Sequence, residues 1–344
     1  MIECFEWHRK RCPEYAQFLE RKGFPRSRQL RKSEEIPPLF VTIFKQFRLV
    51  SIPDDKIEME LTSSGTAGQR SAIVLDKRSL KRFLKLVDQT MGSLDLVNRS
   101  ERVNYLNFTY DPKYAKNVGT AFTDKVFTGL TRRKKVVYCI KWNQSSSTFE
   151  FDLDDTVAQL IRFTRQTEPV RILGFPAYLW QVCDVLERKQ RTLNLGPRSF
   201  VITGGGWKIH KDREVPKEVF KERVSAILGI PAGNIRDSFG MVEHGIGYID
   251  CHHGRAHVPI YARARVLDPE TLEPLPPGTP GLLHLMTPYL SSYPSISLLT
   301  TDSAQIEFDC PCGRPGPTLR ILGRAGLTKH KGCAISALDL LKTL

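Results

Sequence analysis

No run of about eighteen apolar residues occurs in the chain, so no segment has the length and apolarity of a membrane-spanning helix. The opening residues Met1-Ile2-Glu3-Cys4-Phe5-Glu6-Trp7-His8-Arg9-Lys10 lack the apolar stretch of a signal peptide, and a cytoplasmic location is the expectation. Acidic side chains are in deficit: 37 Asp and Glu face 51 Lys and Arg, a formal net charge of +14. Such a balance raises nucleic acid as a partner. Yet no aromatic-studded RNA-binding strand is present, and the basic residues are dispersed apart from Arg132-Arg133-Lys134-Lys135 and Arg188-Lys189-Gln190-Arg191. Solvated faces account for both clusters. An acidic protein partner or an anionic substrate fits the same charge, so nucleic acid is not expected. The eight cysteines, at 4, 12, 139, 183, 251, 310, 312 and 333, are too scattered for a disulfide scaffold in a chain of 344 residues. A Walker phosphate loop is lacking too, because no Gly-Lys-Ser/Thr closes the glycine run near residue 65.

What is present is a globular composition, 41% hydrophobic, sufficient for one large domain or two. Residues 1 to 35 read as amphipathic helix, with Phe5, Trp7, Tyr15, Phe18 and Leu19 among many charges and an end near Gly23-Phe24-Pro25. Ile36-Pro37-Pro38 then leads into the main domain, with Phe44 to Leu49 in a packing role. Alternating apolar residues at 57 to 61 and 72 to 75 predict two strands. Between them Thr62-Ser63-Ser64-Gly65-Thr66-Ala67-Gly68-Gln69-Arg70-Ser71 forms a tight turn. Its glycines permit close approach of a ligand, its hydroxyls and N–H groups suit phosphate oxygens, and Arg70 adds positive charge. A solvated hairpin loop has the same composition, and the run alone does not decide. Apolar spacing at Leu80, Phe83, Leu84 and Val87 predicts a helix, Val103–Phe108 a strand, Arg171–Gly174 a strand and Ala177–Arg188 a helix. This alternation favours a layered α/β fold. Phe200–Thr203 predicts a buried strand running into Gly204-Gly205-Gly206, and three glycines after a strand mark a place where a ligand meets the backbone.

Further stretches follow in order: Thr203-Gly204-Gly205-Gly206-Trp207-Lys208, Asp237-Ser238-Phe239-Gly240-Met241-Val242-Glu243, Thr301-Asp302 and Gly323-Arg324. Together they resemble the adenylate-forming superfamily of acyl-CoA ligases and luciferases. The combination of Ile202-Thr203-Gly204-Gly205-Gly206-Trp207-Lys208 with Lys331-Gly332-Cys333-Ala334-Ile335-Ser336 narrows the resemblance to the acyl-protein synthetase of the bacterial luminescence fatty acid reductase, from about Ile36 to the C-terminus. It implies ATP-dependent activation of a carboxylic, fatty, acid to acyl-AMP, then transfer through a cysteine thioester to a reductase or carrier protein. The rivals are a carboxylate-CoA ligase and, from another class, an inactive basic binding protein that keeps the fold.

Residue by residue, the resemblance gives Ser63, Ser64, Gly65, Thr66, Gly68 and Arg70 to the phosphates and the Gly204, Gly205 and Gly206 loop to adenine. Phe239 stacks on the base, Glu243 holds Mg2+, and Asp302 takes the ribose diol, with Arg324 also among the ATP ligands. Trp207 and Lys208 either close over the adenine or, for the tryptophan, serve packing. Val242 departs from the usual threonine, which removes one hydroxyl beside Glu243. The aromatic face from Phe175 to Trp180 packs the core and, by the resemblance, lines the acyl pocket.

Cys251 and His257 precede Asp309-Cys310-Pro311-Cys312-Gly313, and three thiolates with one imidazole make an accepted tetrahedral zinc set. The arrangement resembles that of phenylacetate-CoA ligases and their relatives, several of which carry cysteines and a histidine here. A structural zinc on Cys251, His257, Cys310 and Cys312 is the expectation, against four reduced, unliganded side chains. Adenylate-forming ligases carry a C-terminal lid of about a hundred residues after the Gly-Arg pair; twenty residues follow Arg324 here, so the lid is expected to be absent or reduced to a short tail. The expected organisation is a helical extension at 1–35, a core at 36–322 and a tail at 323–344. Lys331, ahead of Lys329, takes the adenylation role, and Cys333 matches the family's acyl-accepting cysteine. Lys329, His330 and Lys331 would lower its pKa, and the alternative is a buried, inert thiol.

Overall fold

The computed structural model describes residues 1–63, 70–115 and 119–325, with the backbone alone at 120, 208, 209 and 211. In chain order its helices are α1 (Ile2–Arg11), α2 (Pro13–Arg21), α3 (Lys77–Ser93), α4 (Gly119–Gly129), α5 (Leu153–Phe163), α6 (Pro176–Arg188) and α7 (Lys217–Leu228). The strands are β1 (Leu39–Phe40), β2 (Ile57–Thr62), β3 (Ala72–Asp76), β4 (Arg102–Tyr110), β5 (Arg132–Asn143), β6 (Thr148–Phe151), β7 (Val170–Gly174) and β8 (Phe200–Gly204). They continue with β9 (Ile235–Phe239), β10 (Tyr248–Ile249), β11 (Ala256–His257), β12 (Arg263–Leu267), β13 (Gly281–Met286), β14 (Ser297–Glu307) and β15 (Thr318–Arg324). The chain is α/β, as its alternating periodicities predict.

Two compact units form, one from residues 1–86, 241–248 and the described residues from 257 onward, the other from 87–240 and 249–256. In the first, β1 adds in parallel to β14, within a sheet ordered β11-β15-β14-β13-β12. The β12, β13, β14 and β15 pairs are antiparallel. A separate antiparallel ribbon joins β2 to β3, with Thr62 opposite Ala72. The N-terminal helix expected over 1–35 is broken: Pro13 pushes Cys12 into an extended conformation (φ −109°, ψ 101°), so α1 stops and α2 restarts. Phe5, Tyr15, Phe18 and Leu19 point inward from both helices. Residues 24–35 hold only a short 3₁₀ turn at Ser33–Glu35. The expected packing role of Phe44 is met: it is buried edge-on against Tyr293 at 5.7 Å.

The second unit is built on a seven-stranded sheet ordered β10-β9-β8-β7-β4-β5-β6. Strands β9, β8, β7, β4 and β5 run parallel, and β6 closes the edge antiparallel to β5. Buried faces of α5, α6 and α7 supply the core, among them Val157, Leu160, Phe163, Val182, Leu186, Val224 and Leu228. The start of α5 is fixed by Asp152, whose carboxylate accepts the Asp155 N–H at 3.1 Å, a side-chain N-cap. In a parallel sheet of this kind ligands bind in the crevice at the carboxyl ends of the strands, and the glycine run at 204–206 lies at that end of β8.

Candidate functional site

In the first unit the β14–β15 pairing sets Asp302 directly across from Arg324. Arg324 Nε lies 3.3 Å from Asp302 Oδ1, and its guanidinium donates to Thr301 Oγ1. The Asp302 carboxyl is nearly buried while the Arg324 side chain is mostly exposed, so the cation meets the carboxylate from the solvent side. Burial is the main influence on Asp302 and raises its pKa; Arg324 pulls it down and the neighbouring Glu243 carboxylate pushes it up. Glu243 itself is buried, in a turn where the His244 N–H donates to Met241 O at 3.2 Å. The preceding Val242 uses its carbonyl to accept the Tyr293 hydroxyl at 3.2 Å. A carboxylate and an arginine paired across two strands, with a second carboxylate acting on the first, are a donor set suited to a diol and a divalent cation.

The ribbon's turn is closed at its base by Ser63 and Ser71. The Ser63 N–H donates to Ser71 O at 2.9 Å, and the Ser71 N–H donates to Ser63 Oγ at 3.1 Å. Arg70 is exposed. Ser64, Gly65, Thr66 and Gly68 lie outside the described residues, as do Lys329, Lys331 and Cys333. After β3, Asp76 caps α3 by accepting from the Ser79 N–H at 2.8 Å and from Ser292 Oγ at 2.8 Å. Burial would raise this carboxyl's pKa, but the Ser79 and Ser292 donors outweigh it and hold the carboxyl below its ordinary value.

In the second unit the Gly204–Gly206 run needs glycine for two separate reasons. A Cβ at Gly204 would meet Ser238 Oγ at 2.5 Å, and Gly205 and Gly206 take φ of +75° and +68°. Behind the loop Thr203 Oγ1 donates to Asp237 Oδ1 at 2.8 Å, and the Asp237 N–H donates to Asp250 Oδ2 at 3.0 Å. Burial pushes the Asp237 carboxyl up to about 6, with Lys217 opposing and Asp250 reinforcing the shift. Sequence reasoning gave Asp237 no role; the signal was its place in the motif that ends at Glu243. Phe239 ends β9 and is half-buried. Of the two readings of Trp207, packing is the one realised: the indole is buried, 5.9 Å from the Trp180 ring and 6.2 Å from Phe220. It anchors the glycine loop from beneath.

The cysteine knuckle also forms locally. A left-handed Asp309 (φ +59°) and the Gly313 N–H donating to Cys310 O at 3.0 Å fold Cys310 and Cys312 toward one another. His257 Nε2 is 3.1 Å from Cys312 Sγ, and the ligand atoms of His257, Cys310 and Cys312 lie within 4.8 Å of one another. Zinc–sulfur bonds of about 2.3 Å put tetrahedral ligand atoms roughly 3.5–4 Å apart, so these donors fit one ion. Cys251, in the second unit, opens a tight turn in which its N–H donates to Arg255 O at 2.9 Å. The turn leads along the chain to His257.

An open cavity of about 410 Å³ beside β6, lined by Lys141, Trp142, Phe151 and Leu153 among others, touches none of these motifs. Among the described residues no helix is long and apolar enough to cross a membrane.

Residues 1–341 match the family model described as acyl-protein synthetase, LuxE. A long-chain-fatty-acid–luciferin-component ligase of Vibrio harveyi is 29% identical over 342 residues, 96% of this chain and 84% of that protein. The ligase of the same name from Aliivibrio fischeri is 28% identical over 352 residues, covering 99% and 87%. Among solved structures, 2-hydroxyisobutyryl-CoA ligase with 2-HIB-AMP and CoA superposes with a TM-score of 0.68 at 18% identity, covering 93% of this chain and 65% of that one. ATP-bound MatB from Rhodopseudomonas palustris gives 0.52 at 17% identity, over 81% and 50%. The fold is therefore that of adenylate-forming ligases, of which the chain spans about half to two thirds of the length.

Proposed function

The chain belongs to the LuxE acyl-protein synthetase family, and from that premise we propose that it uses ATP to convert a carboxylic acid of the fatty class to acyl-AMP and passes the acyl group through a cysteine thioester to an acceptor protein. One observation carries the reading: Asp302, Thr301 and Arg324 are assembled on a single strand pair with Glu243 as a second carboxylate near Asp302.

In the first step a carboxylate oxygen of the acid attacks the α-phosphorus, and the bond to diphosphate breaks. Asp302 accepts the ribose hydroxyls and Arg324 leaves it to meet the nucleotide. The Gly204–Gly206 backbone and Phe239 take the adenine, and Ser63, Ser64, Gly65, Thr66, Gly68 and Arg70 take the phosphates. Glu243 would hold Mg2+, which when bound neutralises the triphosphate and eases departure of diphosphate. In the second step the Cys333 thiolate attacks the carbonyl of the mixed anhydride, and AMP leaves with the electron pair. Lys331 assists the first step and favours the thiolate in the second. The family match, which extends through residue 341 and so includes Lys331-Gly332-Cys333, supports this assignment. Residues 36–322 serve as the adenylating core, 1–35 as a helical extension and 323–344 as the tail.

The acceptor is a reductase or a carrier protein, and the cytoplasm suits a reaction that needs ATP and a reduced thiol. A structural zinc on Cys251, His257, Cys310 and Cys312 is part of the same reading. It is supported by the three donors gathered in one unit and by Cys251 lying six residues before His257 in sequence.

The deciding experiment is intact-protein mass spectrometry after incubation with ATP, magnesium and a panel of fatty and aromatic acids. The wild type should carry a hydroxylamine-labile acyl adduct that Cys333→Ala lacks. Acyl-AMP or acyl-CoA formed without an adduct would make Cys333 structural and the protein a CoA ligase.

A further inference from the structure

We propose that Tyr293 is a positioning residue for Glu243: through the Val242 carbonyl it sets the turn that presents this carboxylate to the divalent ion accompanying ATP, and the buried connection that carries Tyr293 is the fixed support it works from. The inference rests on the acid-activating reading, which gives Glu243 to Mg2+, and identifies the part of the first unit that holds that residue in place.

The connection between β13 and β14, residues 287–296, lies outside any strand, yet Leu290 to Ile296 are all buried. A buried loop is costly unless its backbone groups find partners. Three separate stretches of the first unit supply them. From α1, His8 Nε2 donates to Leu290 O at 3.1 Å and Trp7 Nε1 to Ser291 O at 2.9 Å. From α3, Ser79 Oγ accepts the Ser291 N–H at 3.1 Å, and Arg82 donates to Tyr289 O at 3.1 Å. The third is Ser51, whose N–H donates to Ser292 O at 2.7 Å while its hydroxyl lies 2.8 Å from His8 Nδ1. The connection is thereby held from several sides at once.

The Glu243 turn meets this support at two points, one on each side of the carboxylate. Before Glu243, the Tyr293 hydroxyl donates to Val242 O at 3.2 Å. After it, Gly245 takes φ of +71°, and a Cβ there would stand 2.8 Å from Leu290 Cδ1 and 3.8 Å from the Tyr293 hydroxyl oxygen. Glycine is what lets the turn close onto Leu290. The turn is also tied across its own mouth, where the Gly245 N–H donates to Met241 O at 3.1 Å. With both flanks seated, the residue between them has little freedom of direction.

Packing alone would need only the Tyr293 ring, which is fully buried edge-on against Phe44. The hydroxyl is a buried polar group spent on the Val242 carbonyl. Burial chiefly, with the Glu243 charge adding to it, raises this phenol well above its ordinary pKa, so it stays a donor. Tyr293→Phe keeps the ring and removes that donor.

The test is equilibrium dialysis of α,β-methylene-ATP, with and without manganese, on one preparation of each protein. Manganese should tighten binding to the wild type, and Glu243→Gln should remove most of that gain. Tyr293→Phe should cut the gain about fivefold, the effect of one hydrogen bond, and leave the affinity without manganese within about twofold of wild type. Gly245→Ala, which lifts the other flank of the turn off Leu290, should act in the same direction. Phe163→Leu, a core change in the second unit, should lower the melting temperature and leave the gain as in wild type. An unchanged gain in Tyr293→Phe, an equal loss with and without manganese, or the same reduced gain in Phe163→Leu would each overturn the proposal. A gain lost in Glu243→Gln but kept in Tyr293→Phe removes Tyr293 alone; a gain that survives Glu243→Gln removes the assignment of Mg2+ to Glu243 and the proposal with it.

Discussion

Asp302 illustrates what a single residue contributes. It stands opposite Arg324 on neighbouring strands and is nearly buried, with burial raising its pKa and Arg324 opposing that rise. On the proposed reading a ribose diol would offer it two hydroxyl donors, each worth about 1.5 kcal/mol to a charged acceptor. Asp302→Ala should therefore lower kcat/KM for ATP about a hundredfold, with kcat/KM for the acid measured at saturating ATP changed much less. An equal loss for both would mean that the residue is structural. Trp207 belongs to another category of residue. Truncation to alanine removes an indole packed on Trp180 and Phe220, and should cost roughly 3–5 kcal/mol in a denaturant titration. The sequence alone left the two readings of this tryptophan equal, because a residue after a glycine turn is free to face either way. Packing partners from α6 and α7, 27 residues upstream and 13 downstream, decide it.

At the scale of elements, legibility followed periodicity. Helix α3 and strands β2, β3, β4, β7 and β8 were readable because their apolar spacing is regular over enough residues. The break between α1 and α2 was written in Pro13 yet hidden by the continuous amphipathic pattern on either side. The cysteine knuckle was readable as composition, and its geometry follows from a left-handed Asp309 and Gly313 that let a Cys-x-Cys spacing close. On the zinc reading, protein purified without chelator should contain about one equivalent of zinc, and Cys310→Ser should abolish it. Loss of metal should lower the melting temperature, because ligands gathered around an ion repel or go unsatisfied when it leaves. Substoichiometric metal in freshly purified protein would refute the site.

For the whole molecule, buried titratable groups set opposing pH limits. Burial depresses His8 to about 4 and His244 and His284 to about 3. Unfolded, each takes a proton below about 6.5, so the stability they represent is complete above that pH and is lost as pH falls through it toward their folded values. Burial acts oppositely on Asp124, raising it to about 7 while Thr109 donates to its carboxyl. The folded protein retains that proton where the unfolded chain has released it, so stability declines as pH rises from about 4 through about 7. Asp124→Asn, which keeps an oxygen for Thr109, should flatten the alkaline side, raising the melting temperature at pH 8 by roughly 1–2 °C per kcal/mol recovered with little change at pH 5. An equal shift at both pH values would show that protonation is not the cause. The division into units has a consequence for synthesis. The first unit starts at Met1 but takes its main sheet from β11 to β15, so residues 1–86 emerge from the ribosome long before their partners. At typical elongation rates the interval is roughly 10–40 s. Throughout it Phe44 lacks Tyr293 and Trp7 lacks the Ser291 carbonyl, both of which are made late, when nearly all residues of the second unit are already synthesised.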